Sequence, residues 1–160
     1  MHVFLVHHGP AKPKDEDPKR PLSDSGREDV KRMASFLARS GVAAGRVLHS
    51  GKLRALETAL LLADVLGPGK VVEESPTGIA PNDPIDDLFA AIDGWTEDTI
   101  IVGHLPFMSK LASRLITGNE DKTVVHFKPG SVACIERGEN GGGWTVQWFL
   151  RPELLGGWPP

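Results

Sequence analysis

The sequence predicts a single three-layer α/β/α domain with a mostly parallel sheet and a C-terminal antiparallel hairpin. Short β-branched stretches alternate with longer segments in which apolar residues recur every three to four positions, which is typical of strand–helix–strand units. Two further β-rich stretches flank a glycine-rich turn near the C-terminus and predict the hairpin. The 160 residues are enough for one ordinary domain with its own core, which we assign to 1–160.

Six stretches of strand-like composition predict the sheet. The four expected to be parallel are 2–7, 46–50, 70–74 and 99–104, and the hairpin strands are 131–136 and 144–149. The remaining residues, 151–160, are rich in proline and glycine, and we expect them to form a loosely held tail.

Helices are predicted between the strands from their capping residues and apolar spacing. Ser25 and Glu28 form a capping box at the start of the first helix. The Asp83-Pro84 pair predicts the start of the third, as an N-cap followed by a proline at the first helical position. Ser50 is the expected N-cap of the second helix, which we expect to turn four residues inward: Leu53, Leu56, Leu60 and Ala63.

Composition excludes several classes of function. The net charge of −3 gives no general attraction to nucleic acid. Cys134 is the only cysteine, so no internal disulfide can form, and the cytoplasm is the expected compartment. The sequence has no stretch that is long and apolar enough to predict a membrane span.

Polar residues follow three of the four predicted parallel strands. Ligands bind outside the carboxyl ends of the strands in sheets of this kind, and right-handed connections bring those ends to one edge. The residues expected at this edge are His7, His8 and Gly9 after the first strand, Ser50 and Arg54 after the second, and His104 after the fourth.

These residue types indicate phosphate chemistry. Ser50, Arg54 and Thr58 recur every four residues and would share one helix face near its N-terminus, where an arginine makes a ready anion site. Of two histidines beside this anion site, one could attack phosphorus and the other could stabilise charge.

Two other interpretations of the histidines remain open. Each histidine taken alone is more often structural than catalytic. His7, His8 and His104 could together ligate a metal ion, although Arg54 beside them would repel a cation. We therefore favour a site without metal.

Four stretches resemble the histidine phosphatase superfamily and, within it, the small bacterial phosphohistidine phosphatases. Together they span nearly the whole chain in the family's order. They are FLVHHGPA, similar to a strand ending in Arg-His-Gly, KRPLSDSGRED (19–29), VLHSGKLRALETA (47–59) and IIVGHLPFMSKLASRL (100–115). Each motif alone is weak, but four in this order with these spacings are specific.

The resemblance implies a role for each matching residue. His8 matches the histidine that becomes phosphorylated, Arg54 the second phosphate-binding arginine, and His104 the histidine that completes the pocket. Arg20 matches an arginine near the pocket mouth, and Gly9 and Ser50 are further expected substrate-binding residues. The sequence departs from the family at three positions: His7 replaces the first arginine, Gly51 a proline and Glu57 a glutamine.

The function implied is a metal-independent phosphohistidine phosphatase with no cofactor. Its substrate would be a phosphorylated protein such as a histidine phosphotransfer domain. One alternative is a general phosphomonoesterase of the same fold that acts on a small phosphoester. The other is a binding protein whose phosphate pocket is weakened by the loss of one arginine.

Overall fold

The computed structural model describes residues 1–67, 69 and 71–159, and in this part of the chain six strands form one mixed sheet. They are β1 His2–His7, β2 Arg46–His49, β3 Val72–Glu74, β4 Thr99–Gly103, β5 Val132–Arg137 and β6 Trp144–Leu150. The order across the sheet is β3-β2-β4-β1-β5-β6. Neighbouring strands are parallel from β3 to β1, whereas β5 is antiparallel to both β1 and β6. The predicted parallel sheet and hairpin are confirmed, and Lys70 of the third predicted strand lies outside the described residues.

Helices cover both faces of the sheet. They are α1 Asp24–Arg39, α2 Leu53–Leu66, α3 Asp86–Asp93 and α4 Phe107–Thr117, with 3-10 turns at Glu139–Gly141 and Pro152–Leu155. Alternate residues of β1 separate the two cores: Phe4 and Val6 contribute to the core under α1 and α2, while Val3 and Leu5 contribute to the core under α3 and α4. The three-layer prediction is therefore confirmed. None of the described helices has the length and apolar character needed to cross a bilayer.

Two helices begin at different residues from those predicted. The N-cap of α1 is Ser23 and not Ser25, because the Ser23 side chain accepts a hydrogen bond from the Gly26 amide at 3.0 Å. The helix α3 begins at Asp86. Asp83 does not cap it, since its carboxylate accepts a hydrogen bond from the Ala80 amide within the preceding turn. At α1 the serine two residues before the predicted one takes the N-cap position. At α3 the predicted cap is already engaged within the preceding turn.

The prediction for α2 was wrong in two respects. Ser50 is not its N-cap: Gly51 has a φ of +80°, the chain turns there, and Lys52 takes the N-cap position. Of the four residues expected to face inward, only Ala63 is buried, Leu53 and Leu56 are half-buried, and Leu60 is 51% exposed. The residues that α2 buries are Ala55, Thr58, Ala59, Leu62, Ala63 and Leu66. Because α2 is apolar on several sides, its spacing alone does not define the buried face, and mostly small side chains face the neighbouring elements.

The C-terminal segment is held more firmly than expected. Leu155 is buried in the core beneath α1 and α2. The Trp158 ring contacts Phe36 edge-on, with ring centroids 5.1 Å apart. The Trp158 carbonyl accepts a hydrogen bond from Arg32 at 2.6 Å. Apolar contacts and this bond therefore outweigh the loop-like composition of the segment, of which Pro160 lies outside the described residues.

Replacing Leu62 with alanine should lower the free energy of unfolding by about 2–5 kcal/mol, because it opens a cavity between α2 and the sheet. Leu62 is 1% exposed. Leu60→Ala on the same helix is the matched control and should change stability by less than about 0.5 kcal/mol. Urea unfolding of both variants measures the difference, and equal losses would contradict the observed orientation of α2.

Candidate active site

Three histidine rings meet at the carboxyl edge of the parallel strands. The centroids of His7 and His8, at the end of β1, are 4.6 Å apart. The His104 centroid, just after β4, lies 4.9 Å from that of His8. The strands β1 and β4 are neighbours in register, with His7 paired to Gly103, so their ends bring the rings together.

Hydrogen bonds on both sides of the His8 ring define its tautomer. Its Nδ1 lies 2.7 Å from the Gly9 carbonyl oxygen, which can only accept, so Nδ1 carries the proton. Its Nε2 lies 3.1 Å from Nε of Arg54, which can only donate. The His8 ring is therefore neutral, with its lone pair on Nε2. This nitrogen has the electronic form that a nucleophile requires.

The helix α2 holds the residues around His8 in place. The Thr58 hydroxyl accepts a hydrogen bond from the Gly9 amide at 3.0 Å and donates to the Arg54 carbonyl at 2.7 Å. Thr58 is completely buried, so this bridge is shielded from water. It ties the end of β1 to the helix turn that carries Arg54.

Ser50 lies in the site through a contact with His104. Its hydroxyl is 2.6 Å from His104 Nε2. Among the described residues, the other ring nitrogen, Nδ1, has no hydrogen-bond partner, and neither has Nδ1 of His7. Buried polar atoms are normally satisfied, so these two nitrogens leave the free site with unmet hydrogen-bonding capacity.

Burial keeps all three histidines neutral. It lowers the pKa of His7 to about 4, an effect that the nearby backbone of Lys128 opposes. It also lowers the pKa of His8 and of His104 to about 3. The positive charge of Arg54 lowers the pKa of each ring further. At neutral pH the protein without a bound anion therefore carries uncharged imidazoles here.

The fixed charges around these rings are positive. Arg20 and Arg54 both lower the pKa of His8, and Lys52 lowers that of His104. Within residues 1–67, 69 and 71–159, neither Arg20 nor Arg54 forms an ion pair with a carboxylate. The same residues contain no group of three or more histidine, cysteine or acidic side chains arranged to hold a metal ion. The geometry favours an anion over a cation.

The loop between β1 and α1 brings Arg20 to this site. A bridge between Ala11 and Leu22 closes the base of the loop. Arg20 has a φ of +50°, and its Nε donates to the Lys12 carbonyl at 3.1 Å. The structure thus brings together every residue that the sequence predicts for the site: His7, His8, Gly9, Arg20, Ser50, Arg54 and His104.

Sequence reasoning missed two groups that support the site. The Gly130 amide donates to the carbonyls of both His7 and His8 at 2.9 Å, and its φ of +82° suits only glycine well. Glu57 contacts the loop that carries Arg20. The sequence marked Glu57 only as the replacement of a glutamine of the family, and a loop contact has no periodicity that would reveal its role.

Comparison with known proteins identifies relatives along nearly the whole chain. The chain is 29% identical over 157 residues to phosphohistidine phosphatase SixA of Escherichia coli, covering 95% of this chain and 94% of that protein. It is 30% identical over 126 residues to an uncharacterised protein of Picosynechococcus sp., covering 74% of each. No protein-family model matches the chain.

The fold matches as well. The solved structure of the protein histidine phosphatase SixA complexed with tungstate has a TM-score of 0.82 and 28% identity, covering 97% of this chain and 99% of that one. This likeness in sequence and fold confirms the resemblance carried by the four motifs. The chain belongs to the histidine phosphatase superfamily.

Proposed function

We propose that the protein is a metal-independent phosphohistidine phosphatase that passes the phosphoryl group through its own His8. The observation that carries this proposal is the neutral His8 ring, held by the Gly9 carbonyl with its Nε2 lone pair beside Arg54. A nucleophile of this kind next to unpaired cations suits attack on a phosphoryl group. The similarity to SixA supports the same activity.

The reaction has two steps. In the first, His8 Nε2 forms a bond to phosphorus while the phosphorus–nitrogen bond of the substrate breaks, and that electron pair leaves with the substrate imidazole. In the second, water attacks phosphorus and the electron pair of the phosphorus–nitrogen bond returns to His8 Nε2, releasing inorganic phosphate. Because Arg54 donates to Nε2 in the free protein, its guanidinium must turn to the phosphate oxygens before attack.

The other site residues bind the phosphoryl oxygens in this proposal. Arg54 and His104 stabilise the charge on these oxygens in the transition state. Ser50 orients the His104 ring through their 2.6 Å contact. Arg20 binds at the pocket mouth, where its charge already acts on His8. The His7 ring lies 4.6 Å from that of His8 between centroids, which supports a donor role for that ring once it is protonated.

The leaving group accounts for the preference for phosphohistidine. An imidazole can leave as a neutral group once its ring is protonated, whereas an alkoxide needs a strong general acid. Among the described residues, the ionisable side chains that lower the pKa of His8 are His7, Arg54 and Arg20. Glu74 lies against Gly51 and acts on His49 instead. The site is therefore better equipped for an imidazole than for an alkoxide.

We further propose a histidine phosphotransfer domain as the protein partner. A phosphohistidine on a protein surface offers the leaving group that the site suits. The cytoplasm stays the predicted compartment, on the ground that Cys134 is the only cysteine.

Turnover of a phosphohistidine protein should exceed that of a phosphoserine peptide by at least about 100-fold, since general acid catalysis typically contributes ~10²–10⁴-fold where an alkoxide leaves. Release of inorganic phosphate from both substrates under identical conditions measures the ratio. Equal turnover would instead support the general phosphomonoesterase, and no turnover of either would support the binding protein.

His8→Ala should abolish both turnover and covalent labelling, because it removes the attacking nitrogen. The wild-type protein, quenched by denaturation during turnover of a radiolabelled substrate, should carry acid-labile and alkali-stable phosphate. His2→Ala, which changes a histidine at the opposite end of β1 from His7, is the control and should retain both properties. Normal labelling of His8→Ala would assign the nucleophile to another residue.

Anion binding should depend on the protonation of His7. Its pKa of about 4 in the free protein should rise when a dianion binds, so affinity should fall as the pH increases. We expect sulfate, which does not titrate in this range, to bind roughly tenfold more weakly at pH 8 than at pH 5. The expected size follows from the hydrogen bond that a protonated His7 would donate to the anion, since a charged donor contributes ~1.5–3 kcal/mol.

His7→Arg should remove most of this pH dependence, since a guanidinium stays charged throughout. Calorimetric titration with sulfate at both pH values makes the comparison. A His7→Arg variant as pH-dependent as the wild type would show that His8 or His104 takes up the proton.

A further inference from the structure

We propose that Glu57 is a positioning residue that, through Leu22 and together with Arg27, holds Arg20 at the mouth of the phosphate pocket. This inference rests on the proposed function only in that Arg20 is taken to bind the phosphoryl group. The proposed role of Glu57 is indirect, because its side chain does not itself contact His8.

Glu57 joins three parts of the chain with its two carboxylate oxygens. Its Oε2 accepts a hydrogen bond from the Leu22 amide at 2.6 Å. Its Oε1 accepts one from Nη2 of Arg27 at 2.9 Å. Leu22 ends the loop that carries Arg20, Arg27 belongs to α1, and Glu57 belongs to α2. The carboxylate therefore fixes the end of the loop relative to both helices.

Adjacent residues of α2 hold the two ends of this loop. The Thr58 hydroxyl accepts from the amide of Gly9, where the loop begins, while Glu57 accepts from the amide of Leu22, where it ends. Arg54 lies one helical turn earlier on the same helix and contacts His8. One helix thus sets the position of the nucleophile, of one arginine and of both loop ends.

Arg20 needs such an anchor because its own backbone is unfavourable. Its φ of +50° lies in the left-handed region, which a residue with a long side chain adopts only when its surroundings enforce it. The Arg20 amide donates to the Asp17 carbonyl at 2.9 Å, and its Nε donates to the Lys12 carbonyl at 3.1 Å. These contacts lie within the loop, so they shape it without fixing it to the pocket. The Leu22 side chain, two residues after Arg20, is buried in the core, and the contact between its amide and Glu57 links this end of the loop to α2.

With Arg27 as a neighbour, a carboxylate suits position 57 better than an amide, because both of its partners are donors. An amide has one accepting oxygen and one donating nitrogen. In Glu57→Gln, the amide nitrogen would therefore face either the Leu22 amide or the Arg27 guanidinium, donor against donor. Without Arg27 the conflict disappears, since the glutamine oxygen can accept from Leu22 while its nitrogen points to water.

The test is a double-mutant cycle between positions 57 and 20, with sulfate affinity and the KM and kcat for a phosphohistidine protein as readouts. Glu57→Gln should weaken sulfate binding and raise KM by roughly three- to tenfold, with kcat changed by less than about twofold. In an Arg20→Met background the same change should have almost no effect, because its target is already absent. Equal effects in both backgrounds would overturn the proposal, as would unchanged sulfate affinity in Arg20→Met alone.

Rescue provides the second arm of the test. Glu57→Gln combined with Arg27→Met should recover sulfate affinity to within about twofold of the wild type, since the donor conflict is removed. Failure of the double variant to recover, with its fold intact, would contradict the role of Arg27. If Glu57→Gln alone folds poorly, sulfate affinity is measured in the double variant.

Glu120→Gln is the matched control. Glu120 has a similar side-chain exposure, 31% against 20% for Glu57, and also contacts two cations, Lys110 and Arg114. It follows the end of α4, and its salt bridges are to side chains of that helix. It should leave sulfate affinity and KM unchanged, whatever its effect on thermal stability, and an equal loss of affinity in this variant would overturn the proposal.

The cycle also separates this inference from the proposed function. If the wild type binds sulfate but does not turn over a phosphohistidine protein, the proposed function fails, while the sulfate cycle still decides whether Glu57 positions Arg20. If turnover is normal and the cycle is additive, only the positioning role fails.

Discussion

The hydrogen bonds on the two sides of the His8 ring are the interactions on which the rest of the site depends. A carbonyl holds Nδ1 and a guanidinium donates to Nε2, so a single tautomer remains. Burial then keeps the ring uncharged at neutral pH. The backbone that supplies the carbonyl is itself held, by Thr58 on one side and Gly130 on the other. The surrounding elements therefore serve to keep one nitrogen lone pair at the edge of the sheet.

The helix α2 links His8 to its electrostatic surroundings. Arg54, Glu57 and Thr58 lie within two turns of the helix and contact His8, the end of the loop and its beginning, respectively. The small inward-facing residues of α2, such as Ala55 and Ala59, let the helix approach its neighbours closely. The orientation of α2 in the core thus determines both where charge is placed and where the loop is attached.

The site combines fixed positive charges with neutral histidines, which suits an anion that is bound only transiently. Burying neutral histidines near two guanidinium groups avoids placing further positive charge in a region of low dielectric. The cost is two ring nitrogens, on His7 and His104, that have no partner among the described residues. An oxyanion would supply the negative charge that the surrounding cations lack, so the same charges that keep the histidines neutral favour anion binding.

The sequence by itself determined the elements of the fold and the identity of most site residues. Strand composition and helical spacing are local properties, and His8, Arg54 and His104 follow strands so directly that sheet topology alone predicts that they meet. His7 could likewise be recognised beside His8 because the two are adjacent in the chain.

Only the tertiary structure decided what those side chains contact. Ser50 can cap a helix or bind a ring nitrogen, and its neighbour across the sheet edge, His104, decided the outcome. The buried face of α2, the docking of Trp158 and the contact between Glu57 and Leu22 likewise depend on residues far apart in sequence. Packing and burial are properties of the assembled chain, and so are the lowered pKa values of the histidines, because each depends on which groups surround the ring.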